Sequence, residues 1–547
     1  MSTLLLALAS VHGWSGPGSA AEDAAVALVD VAREAGITFV HESGATDDKL
    51  MVETFGSGVA WIDYDNDGFL DLYFVNGAAV GRGTASPGNV LYRHDGRGRF
   101  TDVTPRAAVA GRGGYGTGVA VGDYDNDGWL DLYVANLGPN ILYHNNRDGT
   151  FTDVTAKAGV AGGAEWSSSA GFFDYDRDGD LDLYVVNYVD FDAADNPYCG
   201  FKKPGYRMYC SPTVFDGVSD RLFRNDGDGT FTDVSTQAGI ANPGGKGLGV
   251  TFCDVNGDGY VDVYVANDLV RNFLYRNNRD GTFTDEAYGA GVGYDLNGKP
   301  QAGMGTDCGD VNGDGLQDLF VTNFSAELDT LYINHGDLLF EDSSEALGLG
   351  SSYWPLGFGT RLFDVDNDGD LDIYVANGHV IDNIHLYQPR LTHAQRDLLH
   401  RNDGGRFTDI SAQAGPGLDI ARVSRGLAVG DYNNDGALDV AISNLGGRPV
   451  LLRNASSAGR HWLLVEARGR RSNRFGLGAS VRVETAQGVQ VRAINNTASY
   501  LSSNDIRLHF GLGDERRIKK IEVRWPSGAV QVLEGIEADQ ILRVEEP

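Results

Sequence analysis

The chain has 547 residues, 42% of them hydrophobic, with 75 glycines, 15 prolines, four cysteines and a formal net charge of −32. That charge makes nucleic acid and anionic membrane surfaces poor partners, because both are held through Lys and Arg. Four cysteines exclude a disulfide-built scaffold. Gly with Asp and Asn between short apolar runs is the composition of an all-β chain with many tight turns.

The N-terminal run Met1-Ser-Thr-Leu-Leu-Leu-Ala-Leu-Ala-Ser is apolar, and small residues follow at Ser19, Ala20 and Ala21. Residues 1–21 are therefore expected to be a signal peptide, which makes the protein secreted, periplasmic or displayed at the cell surface. No later stretch approaches ~20 apolar residues, so no membrane span is expected.

From residue 28 onward the chain is repetitive. The pattern D-x-[DN]-x-D-G-x-x-D occurs seven times, at 63–71, 123–131, 174–182, 254–262, 310–318, 364–372 and 431–439. Each copy leads into an apolar strand ending in Asn (Asn76, Asn136, Asn187, Asn267, Asn323, Asn377, Asn444), read as turn-capping residues. A third element resembling Leu-Tyr-Arg-Asn begins at Leu91, Leu142, Leu222, Leu274, Leu331, Leu399 and Leu451, and a polar Gly-containing turn usually follows it, as in a hairpin. The fourth, Phe-x-Asp-Val-Thr-x-x-Ala-Gly, begins at Phe100, Phe151, Phe231, Phe283, Phe340 and Phe407 but is missing after Leu451. Its seventh copy stands at the other end of the chain, as Leu28-Val-Asp30-Val-Ala-Arg-Glu-Ala-Gly36. A strand absent from one end and present at the other implies a closed ring, which leaves no exposed sheet edge. The expected fold is all-β: a seven-bladed β-propeller over residues 28–454, closed by an N-terminal strand.

The acidic loops suit calcium. Ca2+ takes six to eight hard oxygens at ~2.3–2.6 Å. Side chains at positions 1, 3, 5 and 9 and the carbonyl of position 7 converge if the loop wraps tightly, and Gly at position 6 permits the bend. The expected ligands of the first loop are Asp63, Asp65, Asp67, Phe69 and Asp71, and of the second Asp123, Asp125, Asp127, Trp129 and Asp131. The third has Asp174, Asp176, Asp178, Asp180 and Asp182; the fourth Asp254, Asn256, Asp258, Tyr260 and Asp262; the fifth Asp310, Asn312, Asp314, Leu316 and Asp318. The sixth has Asp364, Asp366, Asp368, Asp370 and Asp372, and the seventh Asp431, Asn433, Asp435, Ala437 and Asp439. An EF-hand is excluded: it needs Glu at position 12, and here that position is Phe74, Val134, Val185, Val265, Val321, Val375 or Ile442. Without a cation, the 25 carboxylates at positions 1, 3, 5 and 9 would repel one another.

Two insertions, at 188–220 and 378–397, each follow the second strand of a repeat. The acidic loops join first to second strand, so the insertions belong on the opposite face. Cys199 and Cys210 share the first insertion and are expected to form a disulfide; Cys253 and Cys308, beside acidic loops of neighbouring repeats, read as buried free thiols. After a polar linker, 455–460, residues 461–547 show strands at 462–467, 479–484, 489–495, 506–510, 518–525 and 531–533, as expected of a small β-sandwich or barrel. Ser499, Ser502 and Ser503 read as turn residues there, with no paired nucleophile and base.

Runs such as Gly118-Val-Ala-Val-Gly-Asp123-Tyr-Asp-Asn-Asp-Gly-Trp-Leu-Asp131 resemble the FG-GAP and VCBS repeats of integrin-like propellers. The tail resembles the ASPIC/UnbV domain through Ser472-Asn-Arg-Phe-Gly-Leu-Gly478, Ser499-Tyr-Leu-Ser-Ser-Asn-Asp505, His509-Phe-Gly-Leu-Gly513 and Arg524-Trp-Pro-Ser-Gly528. The combination is similar to the cartilage acidic protein family and its bacterial relatives. That resemblance implies an extracellular calcium-binding propeller with up to seven Ca2+. For some bacterial relatives it also implies a role beside enediyne biosynthesis.

Two functions follow. The first is a binding or adhesion module that recognises an extracellular protein or glycan through loops held by a rigid ring. The alternative is an enzyme or accessory protein in secondary-metabolite (enediyne-type) biosynthesis, using a pocket on the face opposite the calcium loops. Its candidate residues are His379, Asp382, His385, His393, His400 or the Cys199–Cys210 loop. A deep polar pocket around His379 would favour the enzyme, and a shallow face with exposed aromatics from 188–220 would favour binding.

Overall fold

The computed structural model describes residues 26–80, 87–111, 113–456 and 459–547. The expected signal peptide lies outside the described residues. Seven four-stranded antiparallel sheets succeed one another along the chain. Their innermost strands are Val59–Ile62, Tyr115–Gly122, Ser167–Phe173, Gly247–Cys253, Thr306–Gly309, Gly357–Phe363 and Ser424–Gly430, which define blades 1 to 7.

Burial decides which residues each strand uses. In blade 2 the first strand, Tyr115–Gly122, is buried throughout, and the second, Asp131–Leu137, nearly so. Both are covered on two faces by neighbouring blades and therefore read as unbroken apolar runs. The third strand, Ile141–Asn145, is partly exposed, and the outermost, Phe151–Asp153, buries only its Phe. Gly118, Gly249 and Gly359 sit in inner strands where a Cβ would strike a backbone carbonyl of the next blade, at Ser168, Met304 and Arg425. Glycine there lets adjacent blades approach.

The ring closes as its permuted strand requires. Leu28–Asp30 pairs antiparallel with Val450–Asn454, Leu28 opposite Asn454, and completes blade 7. Blade 7 then packs on blade 1: Trp61 stacks on Tyr432 with centroids 5.9 Å apart, and Trp61 Nε1 donates to Ala428 O at 3.1 Å.

Two sets of polar residues tie the blades. The strand-end asparagines cap turns: in six blades the backbone N–H donates to the side-chain oxygen of the residue just before the third strand, which is Asn89, Asn140, Asp220, Asn272, Asp329 or Asp397. The asparagine ending the third strand reaches between blades. Asn145 Nδ2 donates to Tyr64 O of blade 1 at 2.9 Å and to Leu130 O of its own blade at 3.0 Å. Asn225, Asn277, Asn334, Asn402 and Asn454 repeat the reach to the preceding blade.

The C-terminal segment forms two sheets around a common core. His461–Arg468 lies between Leu508–Gly513, antiparallel, and Gln540–Glu545, parallel. The second sheet runs Val489–Ala493, Ser480–Glu484, Arg517–Arg524, Val530–Glu537. Gln540–Glu545 was not anticipated: its apolar residues Ile541, Leu542 and Val544 do not alternate regularly, and only Val544 is buried. The core of these sheets continues into blades 2 and 3 through Tyr133, Phe172 and Leu183.

Residues 494–507 leave the second sheet and fill the ring, touching every blade. Ser503 N donates to Val59 O and Trp61 N to Ser503 O, both at 3.1 Å. Val119 N donates to Leu501 O, Leu501 N to Ser169 Oγ, and Asn495 Nδ2 to Phe252 O, each at 3.0 Å. Ser499 N donates to Thr306 O at 2.7 Å and its Oγ accepts from Thr360 N at 3.1 Å; Asp505 N donates to Val429 O at 3.0 Å. Ser499, Ser502 and Ser503, expected as turn residues, are buried parts of a plug. Ser499 and Leu501 hold positive φ (79° and 59°), a conformation the surrounding strands must sustain. From the other side the turn Met51–Thr54 and Phe55 close the channel, and Tyr500 packs against Phe55 and Phe358 at 5.6 and 4.9 Å.

Cys199 and Cys210 are disulfide-bonded, Cα atoms 5.3 Å apart. Cys253 and Cys308, expected as free thiols, are also paired, with Cα atoms 6.7 Å apart. They occupy the inner strands of blades 4 and 5, neighbours in space but 55 residues apart in sequence. Among the described residues no helix is long and apolar enough to cross a membrane.

Replacing Tyr500 by Ala should cost about 3–5 kcal/mol, the range for deleting a buried aromatic, read as a lowered melting temperature by calorimetry. A loss under about 1 kcal/mol would mean that the plug adds little. Asp220 offers a pH test. Its carboxylate accepts from Asn187 N and from Tyr184 Oη, and burial pushes its pKa up to about 7. The native state therefore holds a proton that the unfolded chain releases above about pH 4, so stability falls as pH rises from 4 to 7. Asp220→Asn, the residue type used in blades 1, 2 and 4, should raise the unfolding free energy at pH 8 by on the order of 1–3 kcal/mol, with the gain fading toward pH 4.

Candidate metal centres

Each acidic loop is wrapped by its own carboxylates. Asp63 at position 1 accepts from Asp67 N at 3.1 Å and Gly68 N at 3.0 Å, and the first aspartates of loops 2, 4, 5, 6 and 7 repeat both bonds. Asp174 in loop 3 keeps the bond from Gly179 N at 3.2 Å. Position 5 accepts from the N–H of position 7 in all seven loops. Position 9 joins loop to hairpin: Asp131 Oδ2 accepts from Tyr124 N at 3.2 Å and its Oδ1 from Asn145 N at 2.7 Å.

Position 4 went unnoticed in the sequence. It is left-handed in every loop, as Asn66, Asn126, Arg177, Gly257, Gly313, Asn367 or Asn434. Asn and Gly tolerate that conformation. Asn66 Nδ2 donates to Gly128 O in the next loop at 3.0 Å, and Asn126, Asn367 and Asn434 do the same to Gly179, Gly436 and Gly68. The Asn-Asp-Gly run in the repeat was the available signal.

Carboxylates of positions 1, 3 and 9 gather within 4.8 Å of one another in loops 1, 2, 3 and 6: Asp63, Asp65 and Asp71; Asp123, Asp125 and Asp131; Asp174, Asp176 and Asp182; Asp364, Asp366 and Asp372. These clusters could hold a metal ion. Loops 4, 5 and 7 carry Asn at position 3, which leaves them two carboxylates and an amide at positions 1, 3 and 9. Burial, reinforced by like charge, pushes Asp63 up to about 6 and Asp123 and Asp174 up to about 7, and it raises Asp71, Asp131, Asp182 and Asp372 well above the usual carboxylate range. Position 5 leans outward in three loops toward a hairpin arginine: Asp67 to Arg93 at 2.7 Å, Asp127 to Arg147 at 2.5 Å and Asp258 to Arg279 at 2.8 Å.

The C-terminal segment covers part of this loop face and leaves residues 66–68 of loop 1 and 312–315 of loop 5 exposed. Arg460 lies 2.7 Å from Asp366 and 3.4 Å from Asp368, Arg492 lies 3.8 Å from Asp364, and Arg507 donates to Asp431 O at 2.6 Å. Clefts of about 770 and 410 Å3 remain between the two, the larger bordered by Asp63, Asn66, Asp127, Trp129, Arg468 and Arg474.

On the opposite face the two insertions support each other. Asn383 Nδ2 donates to Gly205 O at 3.0 Å and Arg207 O at 2.9 Å, and Tyr387 stacks on Phe201 at 5.5 Å. Phe201 is 63% exposed, Tyr198 45% and Leu386 40%. The histidines considered for catalysis do not gather in an open pocket. His379 and His400 are fully buried, His400 bonded to Ser351 Oγ at 2.7 Å, and Asp382 pairs with Lys49 at 2.6 Å.

The FG-GAP-like repeat family matches residues 63–134, 123–185, 213–265, 254–321 and 310–375, and the ASPIC and UnbV family matches 469–547. Cartilage acidic protein 1 of Homo sapiens is 27% identical over 500 residues, covering 86% of this chain and 69% of that protein. The Xenopus tropicalis protein of the same name is 26% identical over 522 residues, covering 90% and 73%. Among solved structures, an Agrocybe aegerita protein that recognises non-reducing terminal N-acetylglucosamine aligns over 73% of this chain and 94% of its own, with TM-score 0.39 and 17% identity. FG-GAP-like repeats through most of the ring and an ASPIC and UnbV region at the end make this chain a member of the FG-GAP-repeat proteins that carry an ASPIC/UnbV domain, homologous to cartilage acidic protein 1.

Proposed function

We propose that this protein is an extracytoplasmic recognition module whose ring is stiffened by Ca2+ in up to seven loops, and that it binds an extracellular protein or glycan through the face opposite them. The donors at loop positions 1, 3, 5 and 9 are carboxylate and amide oxygens, with the position 7 carbonyl beside them, a set that suits a hard cation. A divalent ion there would relieve the repulsion among buried aspartates; the loop bonds between carboxylate and N–H hold the ligands in place. Two disulfides fit an oxidising compartment.

The observation that carries the recognition reading is the disulfide-closed, aromatic-tipped insertion. The C-terminal segment takes up part of the loop face, whereas it leaves the insertions on the opposite face uncovered. Tyr198 and Phe201 stand exposed there on a loop pinned by Cys199–Cys210 and buttressed by Tyr387. Aromatic side chains on a pre-ordered loop contribute contact area at low entropic cost. The buried state of His379 and His400 favours recognition over the biosynthetic alternative.

EGTA should lower Tm strongly and Ca2+ restore it, each site contributing about 2.7 kcal/mol at a free concentration a hundredfold above Kd. Asp65→Ala should reduce bound Ca2+ by one per chain with little effect on the EGTA-treated protein. Asp71→Ala should destabilise even with EGTA, by about 1–3 kcal/mol, since two N–H groups lose their acceptor. An unchanged melt in EGTA would refute the calcium reading. On arrays of glycans and matrix proteins in Ca2+, the protein should bind, and a Tyr198→Ala/Phe201→Ala variant of unchanged Tm should not. Retained binding by that variant would move the site elsewhere.

A further inference from the structure

Arg425 is a charge buried without a counter-ion. Its side chain is 0% exposed, and no carboxylate among the described residues pairs with it. Nε donates to Thr54 O at 2.9 Å, and Nη1 donates to Gly378 O and Ser424 O, both at 2.8 Å. The guanidinium lies 3.9 Å from the centre of the Phe358 ring. Nη2 has no partner. Carbonyls and a ring face offset part of the charge, but a desolvated cation ordinarily requires an anion.

Two buried histidines beside it are also donors without acceptors. His41 Nδ1 accepts from Gly446 N at 3.1 Å and His379 Nδ1 accepts from Ile381 N at 3.0 Å. A ring nitrogen that accepts is unprotonated, so in each neutral ring Nε2 carries the hydrogen. Both Nε2 atoms are buried and unpartnered. His379 follows Gly378, the residue whose carbonyl receives Arg425. Burial holds both histidines near pKa 3 with the Arg425 charge adding to it, so the rings are neutral donors that lie within the field of the guanidinium.

We infer that this end of the ring holds one small inorganic anion, of chloride size and charge, against Arg425 Nη2 and the Nε2–H groups of His41 and His379. A halide accepts from several donors at once, brings no hydrogen of its own and supplies the missing charge. A water molecule meets only the first requirement. The anion would lock Met51–Thr54 and blades 6 and 7 together at the mouth opposite the plug.

The test uses the full chain saturated with calcium gluconate. Replacing sodium gluconate by sodium chloride or bromide at constant ionic strength should raise Tm saturably by several degrees. Crystals grown in bromide should show an anomalous peak beside Arg425. Arg425→Met, which removes the charge at similar volume, should abolish the halide dependence. Equal Tm in gluconate and halide, or no bromide peak in wild-type crystals, would mean water only and would overturn the inference whatever the variant does.

Discussion

The fold rests on aspartate carboxylates that accept hydrogen bonds from backbone N–H groups. The aspartate at loop position 9 accepts from the last residue of the third strand in every blade, and in six blades also from loop position 2. One side chain therefore sets the loop, holds the hairpin and presents a buried negative charge. All three functions favour the ionised carboxylate. Two accepted N–H bonds stabilise the carboxylate, while burial and neighbouring aspartates penalise it. A cation at the proposed sites would offset that penalty while leaving the hydrogen bonds in place.

Asparagine carries that unit from blade to blade. At the end of the third strand its N–H goes to the position 9 carboxylate of its own blade and its side-chain amide to the preceding one. Blade 1 departs from this: His94 takes the place of Asn and packs edge-on against Tyr432 of blade 7, 5.4 Å away. The closing joint therefore relies on aromatic packing of His94 and Trp61 on Tyr432, and on the N-terminal strand. Between blades formed from continuous chain, polar staples suffice; between blades 7 and 1, where the chain ends meet, apolar burial carries more of the contact.

The plug makes the ring and the C-terminal sheets one structure. A seven-bladed ring leaves an axial channel, and inner-strand glycines bring bare backbone to its wall. An extended segment satisfies those backbone groups and fills the space with Tyr500 and Leu501, both buried. The same docking covers part of the loop face, sets Arg460 and Arg492 beside the aspartates of loop 6, and leaves the insertions uncovered.

Local periodicity in the sequence was enough to establish seven repeats, the permuted strand, the acidic loops, the face of the insertions and the Cys199–Cys210 bridge, because each depends on residues close along the chain or on a repeated register. Four features depended on tertiary structure: the Cys253–Cys308 bridge, the plug at 499–505, the arginines over loop 6 and the unpaired Arg425. Each joins residues from different blades or from opposite ends of the chain. Their side chains look ordinary alone, since Ser499 reads as a turn residue and Cys308 as a thiol until the ring closes around them. Hydrogen bonding within a repeat is encoded by spacing, whereas burial at the axis is a property of seven blades together, and no single stretch of sequence contains it.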